Sequence, residues 1–109
     1  MVVEQAAGGP PTFAFADRSS FSPTVEIGDL GVFRMRDGNW DYRNPEWNIK
    51  LSPGRSLPLE SVRYGSVPEG FAQTAPARPL EAGVRYQVVA FGPGAAGSAE
   101  FHIAPAPAS

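Results

Sequence analysis

Proline and glycine are spread along the whole of this chain, and they confine it to short elements of secondary structure. Its 109 residues include 12 prolines and 12 glycines. A proline inside a helix removes a backbone hydrogen bond and clashes with the preceding turn, and glycine is less favourable there than alanine by about 1 kcal/mol. Residues 24–44 are the one long stretch without proline, and Gly28, Gly31 and Gly38 interrupt it. The spacing therefore predicts a chain built without helices.

Between these breakers, apolar and polar residues alternate with the period of two that is typical of β-strands. The clearest example is residues 80–103, where two alternating runs flank a loop at residues 92–98 and predict a hairpin. Shorter runs occupy residues 12–16, 24–27, 31–43, 47–51 and 59–64. About seven or eight short strands, each closed by turn residues, are typical of an antiparallel β-sandwich or a small barrel.

The length of the chain is that of one domain. We expect residues 12–103 to form a single β-sandwich domain. Residues 1–11 are small, polar, proline or glycine, which predicts a flexible leader, and residues 104–109 predict a disordered Pro/Ala tail. Residues 65–79 contain three prolines, so we expect an irregular connection that Phe71 anchors to the core.

Asp37 and Gly38 form the most specific local signal, because Asp-Gly between alternating strands favours a two-residue turn with positive φ. Such a turn would set Met35 opposite Trp40. In the same register, Arg36 faces Asn39, Arg34 faces Asp41 and Phe33 faces Tyr42. Aromatic side chains then share one face of the hairpin and charged side chains the other. The register also predicts an ion pair between Arg34 and Asp41, worth about 0.2 to 1 kcal/mol.

The run LEAGVRYQV at residues 80–88 resembles the penultimate strand of fibronectin type III and related immunoglobulin-like domains. In those domains a tyrosine near the start of the strand forms a tyrosine corner, in which its hydroxyl bonds to the backbone a few residues upstream. The resemblance implies a buried Tyr86 bonded near residues 80–83, and it favours an immunoglobulin-like sandwich. The first half of the chain departs from the family, since Trp40 and Trp47 compete for the place of its buried tryptophan and the chain has no cysteine pair.

A second resemblance concerns location. Residues 64–86, with Pro68, Phe71, Pro79 and Tyr86, are similar to small uncharacterised envelope proteins of proteobacteria. This implies the periplasm or the cell envelope, while a cytoplasmic location stays open. The sequence has no apolar run long enough to predict a transmembrane helix, and a lipid anchor upstream of residue 1 stays open as well.

Few residues could carry chemistry. The chain has no cysteine and one histidine, His102, which alternation places on the exposed face of its strand. Asp37, Asp41 and Glu46 are close in sequence, but the turn explains Asp37 and the expected ion pair explains Asp41. Residues 92–97 lack the GK[ST] pattern and the following helix of a phosphate-binding loop. We therefore expect no catalytic residue, no metal site and no cofactor, in a protein that is not an enzyme.

Two sets of residues are candidates for binding. Trp40, Tyr42 and Trp47 have flat rings of the kind that stack on sugars, and core packing is their alternative role. Val89 and Phe91 make their strand apolar on both faces. Either the connection at residues 65–79 covers these two side chains, or they form an apolar patch for a protein partner or a second copy of the chain.

These observations predict a non-enzymatic, immunoglobulin-like binding or structural module of a bacterial cell envelope that acts through protein contacts. The alternative is a carbohydrate-binding β-sandwich. Nucleic acid is excluded as a partner, because a net charge of -2 and a pI near 5.3 provide no cationic footprint for phosphates.

Overall fold

The computed structural model describes residues 2–4, 10–15, 25–52, 55–92 and 95–103. Within these ranges the chain is all-β and contains no helix, as the proline and glycine spacing predicts. The strands in chain order are β1 (Val2–Glu4), β2 (Thr12–Ala14), β3 (Val25–Ile27), β4 (Asp29–Arg36), β5 (Asn39–Trp40), β6 (Trp47–Lys50), β7 (Leu57–Leu59), β8 (Ser61–Arg63), β9 (Ala72–Ala75), β10 (Arg85–Gly92) and β11 (Ala95–His102). This is more than the seven or eight expected, because strands of two or three residues are too short to show a period in sequence.

A six-stranded antiparallel sheet, here called the large sheet, dominates the fold. Its order is β11-β10-β4-β6-β9, and β5 pairs with the far end of β4. Its two longest pairings are those of β10 with β11 and of β10 with β4. The sheet is open, with β11 and β9 at its two edges.

The hairpin at the end of the chain is longer than its sequence predicts. Pairing between β10 and β11 continues up to Gly92 and Ala95, so residues 95–98, expected in the loop, belong to the strand. The small residues at positions 95–98 are compatible with a loop as well as with a strand. Backbone pairing with β10 extends strand β11 to Ala95.

The hydrophobic core lies between one face of the large sheet and a three-stranded sheet of order β1-β2-β8. Phe13 on β2 pairs with Val62 on β8, and its ring lies 5.5 Å from that of Phe101 on the large sheet. The buried apolar side chains are Phe13, Phe15, Ile27, Leu30, Val32, Trp47, Ile49, Val62, Tyr64, Phe71, Tyr86, Val88, Ala90 and Phe101. Ile27 belongs to a third, two-stranded sheet of β3 and β7, so three sheets contribute to one core.

The start of the chain differs from the flexible leader expected at residues 1–11. Val2–Glu4 pairs antiparallel with Thr12–Ala14 as strand β1, and Pro11 is fully buried. Residues 5–9 and the tail at residues 104–109 lie outside the described part of the chain. The connection at residues 65–79 contains strand β9, and Phe71 is buried in the core as expected.

The turn at Asp37 and Gly38 has the predicted geometry. Their φ values are 50° and 81°, and β4 pairs with β5 through Met35 with Trp40 and Arg36 with Asn39. Positive φ at both positions is the type I′ pattern whose twist matches that of the strands. The predicted register is therefore confirmed.

The predicted ion pair between Arg34 and Asp41 is wrong. Arg34 pairs with Glu81, and Asp41 is bound by Arg36 through an Nε to Oδ2 distance of 2.9 Å. The backbone amide of Asp41 still donates to the carbonyl of Arg34 at 2.8 Å, so the strands align as expected. Long arginine side chains reach diagonal neighbours as well as opposite ones, and register alone does not choose between them.

Tyr86 is fully buried, and its hydroxyl accepts a hydrogen bond of 2.7 Å from the backbone amide of Glu81. The hydrogen bond predicted for this side chain is thus confirmed. Its ring stacks on Phe101 at 5.6 Å, so one residue joins the core to the segment that enters β10. Gly83 supplies the positive φ of 81° that this turn requires.

Tyr64 has a similar role on the other side of the core. Its hydroxyl donates to the carbonyl oxygen of Arg78 at 2.6 Å, and the carbonyl oxygen of Glu46 lies 3.2 Å away. The ring meets Trp47 edge-on at 5.3 Å. Tyr64 therefore joins the irregular chain before β10 to the segment that precedes β6.

Gly92 marks a close approach between two backbones. A Cβ atom at this position would lie 1.8 Å from the carbonyl oxygen of Glu26 on β3. The amide of Gly28 donates to the carbonyl of Phe91 at 2.8 Å, which holds β3 against the end of β10. Any side chain at Gly92 would push these strands apart.

Replacing Tyr86 by phenylalanine removes the hydroxyl and leaves the Glu81 amide without its partner. We expect the free energy of unfolding to fall by about 1 to 3 kcal/mol, measured by chemical denaturation. Tyr42→Phe is the matched control, because it removes the hydroxyl of an exposed tyrosine and should change stability by less than about 0.5 kcal/mol. Equal stability of Tyr86→Phe and the parent would contradict a stabilising role for this bond.

Alanine at two glycines should have unequal effects. Gly92→Ala meets backbone atoms and should cost roughly 3 kcal/mol or more. Gly38→Ala meets no atom within 4 Å, so its cost is the strain of positive φ, about 1 kcal/mol. Thermal melting of both variants measures the difference. Similar losses would show that the contact between Gly92 and Glu26 is looser than described.

Burial raises the pKa of the Tyr64 phenol, and the nearby charge of Glu46 raises it further. Burial also raises the pKa of Tyr86. A phenol whose pKa is higher in the folded state binds its proton more tightly there, so this stabilisation is complete below the unfolded pKa of about 10 and is lost as pH rises above it. We expect the free energy of unfolding to decline above about pH 10, and to decline less steeply in Tyr64→Phe and Tyr86→Phe. Parallel pH profiles for the parent and both variants would refute this origin.

Candidate functional site

The face of the large sheet that points away from the core is here called the outer face. Leu30 and Val32 on β4 pair with Ala90 and Val88 on β10, and all four side chains are buried. Since successive side chains point to opposite sides of a sheet, the odd-numbered residues of both strands lie on the outer face. These include Phe33, Met35, Val89 and Phe91, and the pairing of Met35 with Trp40 places Trp40 there too.

The three rings proposed for sugar stacking do not share a surface. Trp47 is fully buried in the core, where its Nε1 donates to Oε1 of Gln73 at 2.8 Å. Its ring has no accessible face, so a stacking role for Trp47 is wrong. Trp40 is half-buried and Tyr42 is 58% exposed, both at the outer face. Two of the three rings are therefore placed for contact with a ligand.

Val89 is half-buried on the outer face, and Phe91 is 51% exposed. The connection at residues 65–79 was one candidate to cover them. Its strand β9 pairs with β6 at an edge of the large sheet, and β4 and β6 both lie between β9 and β10. This strand is thus too far across the sheet to cover Phe91.

Tyr42 is exposed but held in place. Its hydroxyl donates to Oε1 of Gln87 at 2.8 Å, and its ring lies 4.9 Å from that of Phe33 in an edge-on arrangement. Phe33 in turn lies over Gly31, where a Cβ atom would come within 2.7 Å of the phenylalanine ring. Gly31 is the signal of this packing in the sequence, since glycine within a strand often marks a position where another group approaches the backbone closely.

A surface depression of about 390 Å³, here called the hairpin depression, lies beside β5. Its lining residues are Arg36, Asn39, Trp40, Asp41, Tyr42 and Arg43. The residues that line the depression thus include two aromatic residues together with residues that carry amide, carboxylate and guanidinium groups. Pockets that combine apolar rings with a few polar groups are typical of small-ligand sites.

Asp41 is the anchored charge of the hairpin depression. Arg36 binds one carboxylate oxygen at 2.9 Å, and the side-chain amide of Asn44 lies 3.4 and 3.3 Å from the two oxygens. Partial burial of the carboxyl acts to raise its pKa. Hydrogen bonds from Asn44 and from backbone amides, together with the charge of Arg36, outweigh burial and hold the pKa of Asp41 below its usual value. The carboxylate is therefore ionised at neutral pH.

Arg43 has a different environment from Arg36. It is exposed, and no carboxylate of the described residues lies within ion-pair distance of it. The hairpin depression thus has two guanidinium groups and one carboxylate. Its local charge is positive, whereas the whole chain carries -2.

The remaining candidates for chemistry do not form a site. His102 is exposed, as predicted, in a second depression of about 370 Å³ next to the ion pair of Arg85 and Glu100. Glu46 is buried, away from the exposed Asp37 of the turn. Among the residues that the structure describes, no group of three side chains is arranged to hold a metal ion.

The described part of the chain also has no helix of the length and apolarity needed to cross a membrane. No protein-family model, curated protein or solved structure matches the chain. The outer face and the hairpin depression are therefore the features of the chain that indicate a function.

Proposed function

We propose that this chain is a non-enzymatic binding module with an immunoglobulin-like β-sandwich of the fibronectin type III kind. It acts in a bacterial cell envelope through protein contacts made by the outer face of the large sheet. The observation that carries this proposal is the exposure of Phe91, beside Val89, on the outer face of a sheet whose other face packs on the core.

Three observations support the immunoglobulin-like fold. The hydrogen bond from Glu81 to the Tyr86 hydroxyl is that of a tyrosine corner. The large sheet and the sheet of β1, β2 and β8 face each other across one core, as the two layers of a sandwich do. Trp47 is buried, which favours it over Trp40 for the place of the family's core tryptophan. The envelope location follows from the resemblance of residues 64–86.

Physical chemistry supports the choice of protein contacts. A half-exposed phenylalanine retains apolar area whose removal from water would stabilise a complex by about 25 cal/mol per Å². Aromatic side chains at the centre of a contact surface contribute most of the binding free energy in protein interfaces. Val89 is half-buried two residues along the same strand, and Phe33 on β4, diagonal to Val89, continues the apolar area along the same face.

The matched control for Phe91 is Val67, an apolar residue that is 40% exposed in the connection between β8 and β9. A photoreactive amino acid is placed at position 91 or at position 67, and the purified protein is mixed with an envelope fraction. We expect discrete cross-linked products from position 91, either with a second copy or with another protein, and none from position 67.

The unlabelled variants Phe91→Ser and Val67→Ser provide the competition arm. Unmodified parent protein and Val67→Ser should compete with the products from position 91, and Phe91→Ser should compete at least about tenfold less well, since loss of a central aromatic costs 2 kcal/mol or more. Position-independent cross-linking, or equal competition by both variants, would refute the outer face as the contact surface.

Carbohydrate binding is the second candidate function, restricted by the structure to Trp40 and Tyr42. The observation that favours it is the hairpin depression, where both rings meet polar groups.

A further inference from the structure

We infer that the hairpin depression binds an acidic saccharide, with a uronic acid residue stacked on the ring of Tyr42 and its carboxylate bound by Arg43. This rests on the second candidate function, carbohydrate binding, and does not depend on the protein contacts proposed for Phe91. The size of the depression, the fixed orientation of the Tyr42 ring and the local charge support it.

The size fits a sugar unit with part of its neighbour. The volume of about 390 Å³ is at the lower end of the range of about 300 to 1,000 Å³ that is typical of small-ligand sites. The depression is open to solvent, so a chain of sugars could continue beyond it. A site of this shape would bind an internal or terminal segment of an oligosaccharide.

The ring of Tyr42 is ordered before a ligand binds. The hydrogen bond of the Tyr42 hydroxyl to Gln87 and the edge contact of its ring with Phe33 restrict the rotation of this exposed side chain. A ring that is already ordered loses less conformational entropy when a ligand binds. The C–H face of a pyranose is flat and apolar, so it can pack on such a ring while its hydroxyls point sideways.

Polar residues line the same depression. Asn39 is exposed and offers an amide with two donors and an acceptor. The carboxylate of Asp41 is already bound by Arg36 and Asn44, and its side chain is only 14% exposed. The amide of Asn39 beside an aromatic ring would favour a ligand with hydroxyls over an aliphatic or aromatic acid.

The charge selects an acidic sugar over a neutral one. Arg36 is neutralised by Asp41, which leaves the exposed guanidinium of Arg43 as the excess charge. A guanidinium binds a carboxylate through two parallel hydrogen bonds, and such charged pairs are about twice as strong as neutral hydrogen bonds. A carboxylate carried on the sugar ring would meet Arg43 while the ring stays on Tyr42.

The test uses the full chain and three probes of similar length, which are an oligogalacturonate, a neutral cello-oligosaccharide and oligoglutamate. Titration calorimetry measures affinity, and tryptophan fluorescence reports contact at Trp40, because Trp47 is buried. We expect the oligogalacturonate to bind and to change the emission, with about tenfold weaker binding of the neutral sugar and of oligoglutamate. Raising the salt concentration should weaken the acidic sugar more than the neutral one.

Three variants locate the site. Tyr42→Ala removes the ring and should weaken binding by about tenfold or more. Arg43→Gln keeps a hydrogen-bonding side chain without the charge, and it should remove the preference for the acidic sugar. Arg63→Gln on β8, another exposed arginine, is the control that should bind as the parent does. Arg43 is exposed, so this variant is expected to fold, and circular dichroism verifies it.

Several results would overturn the inference. Among them are no binding of oligogalacturonate, equal affinity for the neutral sugar, or equal affinity for oligoglutamate, which would show that charge alone is recognised. Unchanged binding by Tyr42→Ala and Arg43→Gln would do so as well. Phe91→Ser distinguishes the two proposals, because it should lose the competition described for position 91 while it keeps the affinity for oligogalacturonate.

Discussion

The pairing of β4 with β10 determines the rest of this structure. It sets Val32 against Val88 and Leu30 against Ala90, and it buries all four side chains between the large sheet and the sheet of β1, β2 and β8. A shift of β10 by one residue against β4 would turn the buried side chains of β10, among them Tyr86, to the outer face. The same register leaves Phe33, Val89 and Phe91 outside. The core and the proposed contact surface are thus two consequences of one pairing.

Two tyrosines compensate for the shortness of the strands. A chain with so many prolines has long irregular connections, and these cannot be held by ladder hydrogen bonds. Tyr86 accepts a hydrogen bond from the segment before β10, and Tyr64 donates one to the segment that ends at Arg78. Both rings are buried in the core, so each hydroxyl ties an irregular connection to the packed sheets. This explains why a small domain can include these connections.

The outer face combines two kinds of surface that meet at Phe33. At the Gly92 end of β10 it is apolar, with Val89 and Phe91. Towards β5 it contains both aromatic and charged residues, because the ring of Tyr42 packs on Phe33 and the depression beside it is lined by Arg36 and Arg43. The proposed protein contact and the proposed saccharide site therefore lie towards opposite ends of β4, since Phe91 pairs with Asp29 and the depression includes Arg36.

The sequence by itself determined the all-β class, the turn at Asp37 and Gly38 with its register, and the hydrogen bond of Tyr86, because these depend on residues within a few positions of one another. Tertiary structure decided which tryptophan is buried and which is accessible. Trp40 and Trp47 both lie in alternating strands, and only their partners across the sheet assign them to opposite faces. It also decided that Arg34 pairs with Glu81, a residue 47 positions away, since contacts at such separation leave no mark on a local pattern. Sequence and tertiary structure both determine the hairpin depression, because the local turn brings its residues together and the distant Gln87 fixes the ring of Tyr42.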